Sequence, residues 1–143
     1  MLFRSTQMLA MLPVALEQKV PLVTVSGTAA ITERGNPYVF RFFPGDAVVK
    51  AAHVRYVAEE LRAKRLAVIY QTTAYGQSGR QHIAENARRM GLEIVFEEGL
   101  ETQVRDMSPV LGKARAANPD VLDRKSTRLN SSHIPLSRMP SSA

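Results

Sequence analysis

Ala63-Lys64-Arg65-Leu66-Ala67-Val68-Ile69-Tyr70, running on into Ala74-Tyr75-Gly76-Gln77, is the stretch on which the fold turns. Its core is an almost unbroken apolar run after two charged residues, and it suits a strand covered on both faces, as in a parallel sheet. Beyond it the period changes. Over residues 77–90, Ile83, Ala87 and Met90 recur at helical spacing and are expected to face inward, with Gly91 as the C-terminal stop. Residues 92–98 alternate apolar and acidic side chains, a strand with one more exposed face, whose end Glu97-Glu98 reads as solvated. Met107, Leu111 and Ala114 mark another helix, and Asp120-Val121-Leu122 opens another strand.

Toward the N-terminus the same rhythm holds. Pro21-Leu22-Val23-Thr24-Val25 is a short β-rich run ended by Ser26-Gly27, and Tyr38-Val39-Phe40-Arg41-Phe42 is a second, closed by the Pro44-Gly45 turn. Asp46 suits a helix N-cap, after which Ala47, Ala51, Val54, Ala58 and Leu61 step along one face. Leu9, Leu12 and Leu16 predict a further helix that Pro13 must break, kink or restart. This alternation predicts an α/β fold with a mainly parallel sheet flanked by helices.

Hydrophobic residues make up 45% of the 143, enough for one real core. No apolar run reaches the about 18 residues a membrane span needs, so no stable membrane insertion is expected. Met1-Leu2-Phe3-Arg4-Ser5 does not have the form of a signal peptide. The chain has no cysteine, which excludes disulfides and thiolate chemistry. Its net charge of +6 is unevenly placed: residues 123–143 hold four Lys/Arg against one Asp, and residues 1–122 intersperse both signs. There is no basic stripe, and nucleic acid is not expected as a partner.

From Asp123 the text changes to DRKSTRLNSSHIPLSRMPSSA, with six serines, two prolines and no apolar period. A basic, disordered tail is one reading. The other lies in the nucleotides. DRKSTRLNSSH resembles one frame of a short-read sequencing adapter, SRMPSSA resembles the segment beyond the adapter's index, and Ile134-Pro135-Leu136 spans the index. Residues 1–122 are therefore expected to be the natural part, residues 123–143 a non-native tail, and the parent protein to continue beyond Leu122.

Three segments together resemble the type I periplasmic binding-protein fold, in its leucine/isoleucine/valine-binding group from ABC transporters. The first is Val20-Pro21-Leu22-Val23-Thr24-Val25-Ser26-Gly27-Thr28, followed by Ile31 and Thr32-Glu33-Arg34-Gly35-Asn36-Pro37-Tyr38-Val39-Phe40-Arg41. The second is the stretch from Ala63 to Gln77, and the third is Ala114-Arg115-Ala116-Ala117-Asn118-Pro119-Asp120-Val121. Their order and spacing across residues 1–122 carry the match. The resemblance implies a partial N-terminal lobe, one wall of a hinged cleft, with no cofactor, no metal and no catalysis. It implies as ligand an amino acid of branched-chain type or a related amide, captured outside the cytoplasmic membrane and delivered to an ABC permease. A ligand-sensing regulatory domain of the same fold is the alternative. The signal peptide, the first β-α units and most or all of the C-terminal lobe have no counterpart here, so marginal stability and weak binding are expected of the chain alone. The family usually has Ser-Pro where Thr24-Val25 stands and a small residue at Gly27, and between Thr28 and Thr32 the chain is one residue shorter. These departures bear on which ligand is bound.

The resemblance places Ser5 and Thr6 in a first binding loop, Ser26, Gly27 and Thr28 in a second, and Tyr75 in a third. Physical chemistry is compatible: hydroxyls and backbone amides at the carboxyl ends of parallel strands can hold a carboxylate, and a tyrosine offers an apolar wall with a polar tip. Each has a plainer reading. Ser5 and Thr6 make a helix N-cap pair, residues 26–28 a strand-ending turn, and Tyr75 a half-buried packing residue. Arg41 reads as structural, with Asp46 the expected partner. His53 and His82 read as solvated helix residues. Catalytic motifs do not emerge: Gly76-Gln77-Ser78-Gly79 lacks the glycine spacing of a nucleophile elbow, and neither G-x-G-x-x-G after a strand nor a P-loop occurs.

Overall fold

The computed structural model describes residues 5–104 and 106–125. The elements follow as α1 (Ser5–Gln18), β1 (Leu22–Thr24), α2 (Ala30–Glu33), β2 (Val39–Arg41), α3 (Asp46–Glu59), β3 (Arg65–Gln71), α4 (Ala74–Arg89), β4 (Glu93–Leu100), α5 (Ser108–Ala116) and β5 (Val121–Lys125). β3 is central. It pairs in parallel with β4, from Arg65 opposite Glu93 to Gln71 opposite Leu100, and with β5, from Leu66 opposite Val121 to Tyr70 opposite Lys125. β1 and β2 form a second parallel pair, Leu22 opposite Val39 and Thr24 opposite Arg41. The α/β architecture with parallel sheets and flanking helices is the expected one.

Both faces of β3 are filled. Leu66, Ala67, Val68 and Ile69 are all buried, and Leu66 and Val68 join Val54 and Val57 of α3 and Ile83 and Ala87 of α4 in one cluster. Each larger side chain there contributes roughly 1.5–3 kcal/mol by leaving water, so this cluster supplies most of the cohesion. A smaller cluster of Met8, Leu12 and Ile31, with Leu22 and Val39 against it, ties α1 and α2 to the β1–β2 pair. The outer face of that pair is bare: Val23 and Phe40 stand opposite each other and are exposed.

The helices lie where the sequence places them, with their buried stripes rotated. α1 is continuous through Pro13. Pro13 faces solvent, where water can take the Leu9 carbonyl that a residue-13 N–H would have met. Its buried stripe is Met8, Leu12 and Ala15, and Leu16 is 51% exposed. α3 buries Asp46, Lys50, Val54 and Val57; of the expected face Val54 is buried, Ala47, Ala51 and Ala58 are half-buried, and Leu61 is exposed. α5 buries Val110 and Ala114, leaving Leu111 40% exposed. Met90 also turns outward, at 37%. Gly91, at φ +71°, ends α4 in a turn that brings the Leu92 amide to the Ala87 carbonyl at 2.9 Å, and buried Leu92 takes the inward place. The short α2 has no counterpart in the sequence reading.

One end of the sheet is stitched shut. Asp120 accepts from the Lys64 and Arg65 amides at 2.8 and 2.9 Å, and these two bonds hold its carboxyl below the usual range. Arg65 in turn donates to the Ala117 and Asn118 carbonyls. From this end β5 begins as expected and runs past Leu122 to Lys125. Asp123 there meets Lys50 of α3, Oδ2 to Nζ, at 2.9 Å, with the two side chains 21% and 6% exposed. The rest of the segment read as a tail, from residue 126 on, lies outside the described residues.

Removing one partner of a buried ion pair costs roughly 3–5 kcal/mol, because the other charge stays in the protein uncompensated. Asp123→Asn is thus expected to lower the urea-unfolding free energy by about 3 kcal/mol, the low end of that range, since Asp123 keeps some solvent. Lys50→Met combined with Asp123→Leu should recover most of the loss. Equal stability of Asp123→Asn and the parent chain would show that the pair does not form.

Candidate functional site

The stretch after β1 is shaped by side chains that bond to their own neighbourhood. The Ser26 amide donates to Thr24 Oγ1 at 3.0 Å, which turns the chain sharply as the strand ends. The turn brings Ser26 Oγ within 2.7 Å of Ser5 Oγ on the first turn of α1. Gly27 follows, its carbonyl accepting from the Asp46 amide at 2.6 Å. A Cβ at Gly27 would stand 2.8 Å from Asp46 Oδ1 and 3.7 Å from the Tyr75 ring, so glycine is what lets α3 and α4 close on the loop. Thr28 comes next, 2% exposed. Its Oγ1 is buried and makes no hydrogen bond among the described residues.

Arg41, at the end of β2, holds the underside of this loop. Its Nη1 donates to the Thr28 carbonyl at 3.0 Å, and to those of Gly27 and Ser26 at 3.4 and 3.5 Å. Only the first is a good hydrogen bond by length; the longer two act mainly as charge–dipole attraction. Nη2 donates to Thr32 Oγ1 at 2.5 Å. The guanidinium lies against Gly45, where a Cβ would come within 2.7 Å of Nη2. Arg41 was expected to pair with Asp46; its contacts here are with the loop carbonyls and Thr32.

The third contribution comes from the β3–α4 junction. Thr73 caps α4, its Oγ1 accepting from the Gly76 amide at 3.3 Å. Gly76 sits so close over the end of β3 that a Cβ would lie 1.9 Å from the Gln71 carbonyl oxygen. This approach places Tyr75, half-buried, beside Gly27. Burial, then the carboxylates of Asp46 and Asp123, raise the Tyr75 phenol above its ordinary value, so it remains a hydrogen-bond donor throughout the neutral range. Ser78 on the same helix accepts from the Ala29 amide at 3.3 Å.

Of the six residues singled out from the sequence, Ser5, Ser26, Gly27, Thr28 and Tyr75 gather at this end of the strands. Thr6, the next residue of α1, is exposed. Sequence reasoning missed that Asp46 and Arg41 shape the loop. The available signal was a charged residue at the end of a strand and another at a helix start, the second directly after Gly45. His53 Nδ1 lies 3.4 Å from Lys50 Nζ, and His82 Nδ1 3.6 Å from Glu85. No group of three metal-ligating side chains occurs among the described residues. A groove of about 400 Å³ opens elsewhere, along the later turns of α1, lined by Met11, Val14, Gln18, Val20 and Pro21 among others. It is apolar, with no charged side chain to hold a polar ligand.

Residues 2–122 match the family model described as periplasmic binding protein. Among curated proteins, the Leu/Ile/Val-binding protein of Citrobacter freundii is 23% identical over 105 residues, 73% of this chain and 29% of that protein. Among solved structures, a leucine-binding protein from Thermotoga maritima MSB8 superposes with a TM-score of 0.74 at 26% identity, covering 85% of this chain and 35% of that one. A solute-binding protein of an ABC transporter from Rhodopseudomonas palustris BisB5, in complex with 3,4-dihydroxybenzoic acid, gives 0.75 at 28%, covering 85% and 33%. The chain thus spans about a third of the length of the relatives it matches.

A glycine-to-alanine change inside an exposed helix ordinarily stabilises by about 1 kcal/mol. At Gly112 of α5, where a Cβ meets open space, that gain is expected. At Gly76 the sign reverses. The new methyl would overlap a backbone oxygen, and Gly76→Ala should cost about 3 kcal/mol and displace Tyr75. Thermal denaturation of both variants, with near-ultraviolet circular dichroism to follow the tyrosines, is the check. A Gly76→Ala chain as stable as Gly112→Ala would refute the close approach.

Proposed function

The chain belongs to the periplasmic binding protein family, and from that premise we propose that it forms the ligand-holding part of an N-terminal lobe. The complete protein, in this reading, captures an amino acid of branched-chain type or a related small acid or amide outside the cytoplasmic membrane. It closes on the ligand by hinge motion and hands it to an ABC permease, without chemistry. The observation that carries the reading is the loop at residues 26–28: hydroxyls of Ser5 and Ser26, a buried Thr28 hydroxyl and the tyrosine wall of Tyr75 converge at the carboxyl ends of parallel strands.

Two of the similar structures sharpen the ligand class. One is a leucine-binding protein, and the other is in complex with a dihydroxybenzoic acid. Leucine and the benzoic acid differ in almost everything except a carboxylate on an apolar body. That shared feature is what a loop of hydroxyls and amides can recognise, since each N–H or O–H donor to a carboxylate makes a charge-assisted bond.

The same reading has residues 123–143 as translated adapter. Its support is that the family match stops at residue 122, where the adapter resemblance begins. Extension of β5 to Lys125 is compatible, because the ladder is made of backbone groups that any residue but proline supplies. Long-read resequencing across the Leu122 codon tests it: a frame that continues into a second α/β lobe upholds the reading, and a natural stop after Ala143 removes it.

A ligand that binds only the folded chain stabilises it by about 0.4 kcal/mol when its concentration equals its dissociation constant, and by more above it. Millimolar leucine, isoleucine, valine and 3,4-dihydroxybenzoate are therefore expected to raise the melting temperature, and Tyr75→Ala to reduce the shift. Between pH 6 and 9 the effect should not change through Tyr75, whose raised pKa keeps it protonated. No shift with any member of the panel would count decisively against binding by this chain.

A further inference from the structure

We propose that Arg41 is a positioning residue that aims the Gly27 and Thr28 amides at the ligand's carboxylate, an inference that rests on the carboxylate reading of the same loop. The argument starts from the peptide bond. In a planar trans peptide the C=O of one residue and the N–H of the next point in opposite directions. Arg41 Nη1 donates to the Thr28 carbonyl at 3.0 Å and attracts the Gly27 and Ser26 carbonyls from 3.4 and 3.5 Å, while the Asp46 amide holds the Gly27 carbonyl at 2.6 Å, so three successive carbonyls face one guanidinium. The amides of Gly27, Thr28 and Ala29 must then point away from it. That of Ala29 is taken by Ser78 Oγ. By the same geometry those of Gly27 and Thr28 turn away from the cation, and the buried Thr28 hydroxyl has no hydrogen-bond partner among the described residues.

Two further features belong to the same device. Thr32 Oγ1 anchors the other arm of the guanidinium, so the fork cannot swivel toward the ligand side. Gly45 leaves the space the fork occupies. Lysine could not substitute: an ammonium on a flexible stem presents no planar fork to span the carbonyls and Thr32 together. The guanidinium also places a positive charge behind the peptide dipoles, which makes the outward amides better donors.

The test follows amide resonances of the isotope-labelled 143-residue chain by NMR, with two probes of one shape: isovalerate, which carries the carboxylate, and isovaleramide, which does not. In the parent chain isovalerate is expected to shift the Gly27 and Thr28 amides, and isovaleramide to shift them much less. Arg41→Lys should weaken isovalerate binding about tenfold, as expected when charge-directed hydrogen bonds are lost, and leave the weak isovaleramide response within about twofold. Equal weakening of both probes would mark Arg41 as a fold-holding residue only and overturn the proposal. If Arg41→Lys does not fold, Thr32→Val decides. It removes one anchor of the fork and should weaken isovalerate by roughly threefold with isovaleramide unaltered, as for loss of a single modest hydrogen bond, and no change there overturns the proposal. A parent-chain response at Ser5 and Tyr75 without Gly27 and Thr28 refutes the role of Arg41 and leaves ligand binding standing. Silence of every amide to both probes refutes both.

Discussion

In a parallel sheet every strand exits at the same end, and this geometry governs where the rest of the molecule can go. β1, β2, β3 and β5 share a direction within their sheets, so each β-to-α turn is delivered to the same rim of its sheet. The rim after β1 receives residues 26–28, that after β2 receives Arg41 and the start of α3, and that after β3 receives Thr73 and Tyr75. The other end is occupied by the Asp120 and Arg65 bonds. Function is confined by topology to one edge before any side chain is chosen.

At that edge the difficulty is polar burial. A loop packed under two helix starts has carbonyls that water cannot reach freely, and each one left unmade costs on the order of 1–3 kcal/mol. Arg41 bonds the Thr28 carbonyl and adds charge–dipole attraction to those of Gly27 and Ser26, and the Asp46 amide makes the short bond to the Gly27 carbonyl. The condition is that nothing intervene, which is why glycine stands at 27, 45 and 76, where any Cβ would meet a neighbour at under 3 Å. Rigidity of the loop and absence of side chains around it are thus one requirement.

The sequence was most readable where the hydrophobic signal is unambiguous. A run such as Leu66 to Ile69 admits a single place, the centre of a covered sheet, and Gly91 marks a helix end through a backbone conformation few other residues tolerate. Helix faces were less readable. α1 carries both Leu9-Leu12-Leu16 and Met8-Leu12-Ala15, two stripes a fraction of a turn apart, and Ile31 of the unforeseen α2 selects the second. In α3 hydropathy points to the alanines, yet Lys50 is buried too, its ammonium 2.9 Å from Asp123, a residue 73 positions away. Of the candidate site, the family resemblance pointed to Ser5, Thr6, Ser26, Gly27, Thr28 and Tyr75, and all but the exposed Thr6 lie together at one end of the strands. Arg41 was seen but assigned to Asp46, because opposite charges attract the eye more than carbonyls do.

A carboxylate-binding loop that owns an arginine could have offered it to the ligand directly. A bidentate arginine–carboxylate pair is among the stronger polar contacts available, and on the proposed reading, in which the ligand must be released, the tightest contact is of no use. Holding the guanidinium one peptide layer behind the loop changes the balance. The ligand would then meet neutral N–H and O–H donors, each worth about 0.5–1.5 kcal/mol net. Their aim would be set by a cation that stays bonded to the protein whether the site is full or empty. Because the loop is already ordered, little entropy is lost on binding. Because no charge is stranded when the ligand leaves, departure carries no desolvation penalty on the protein side.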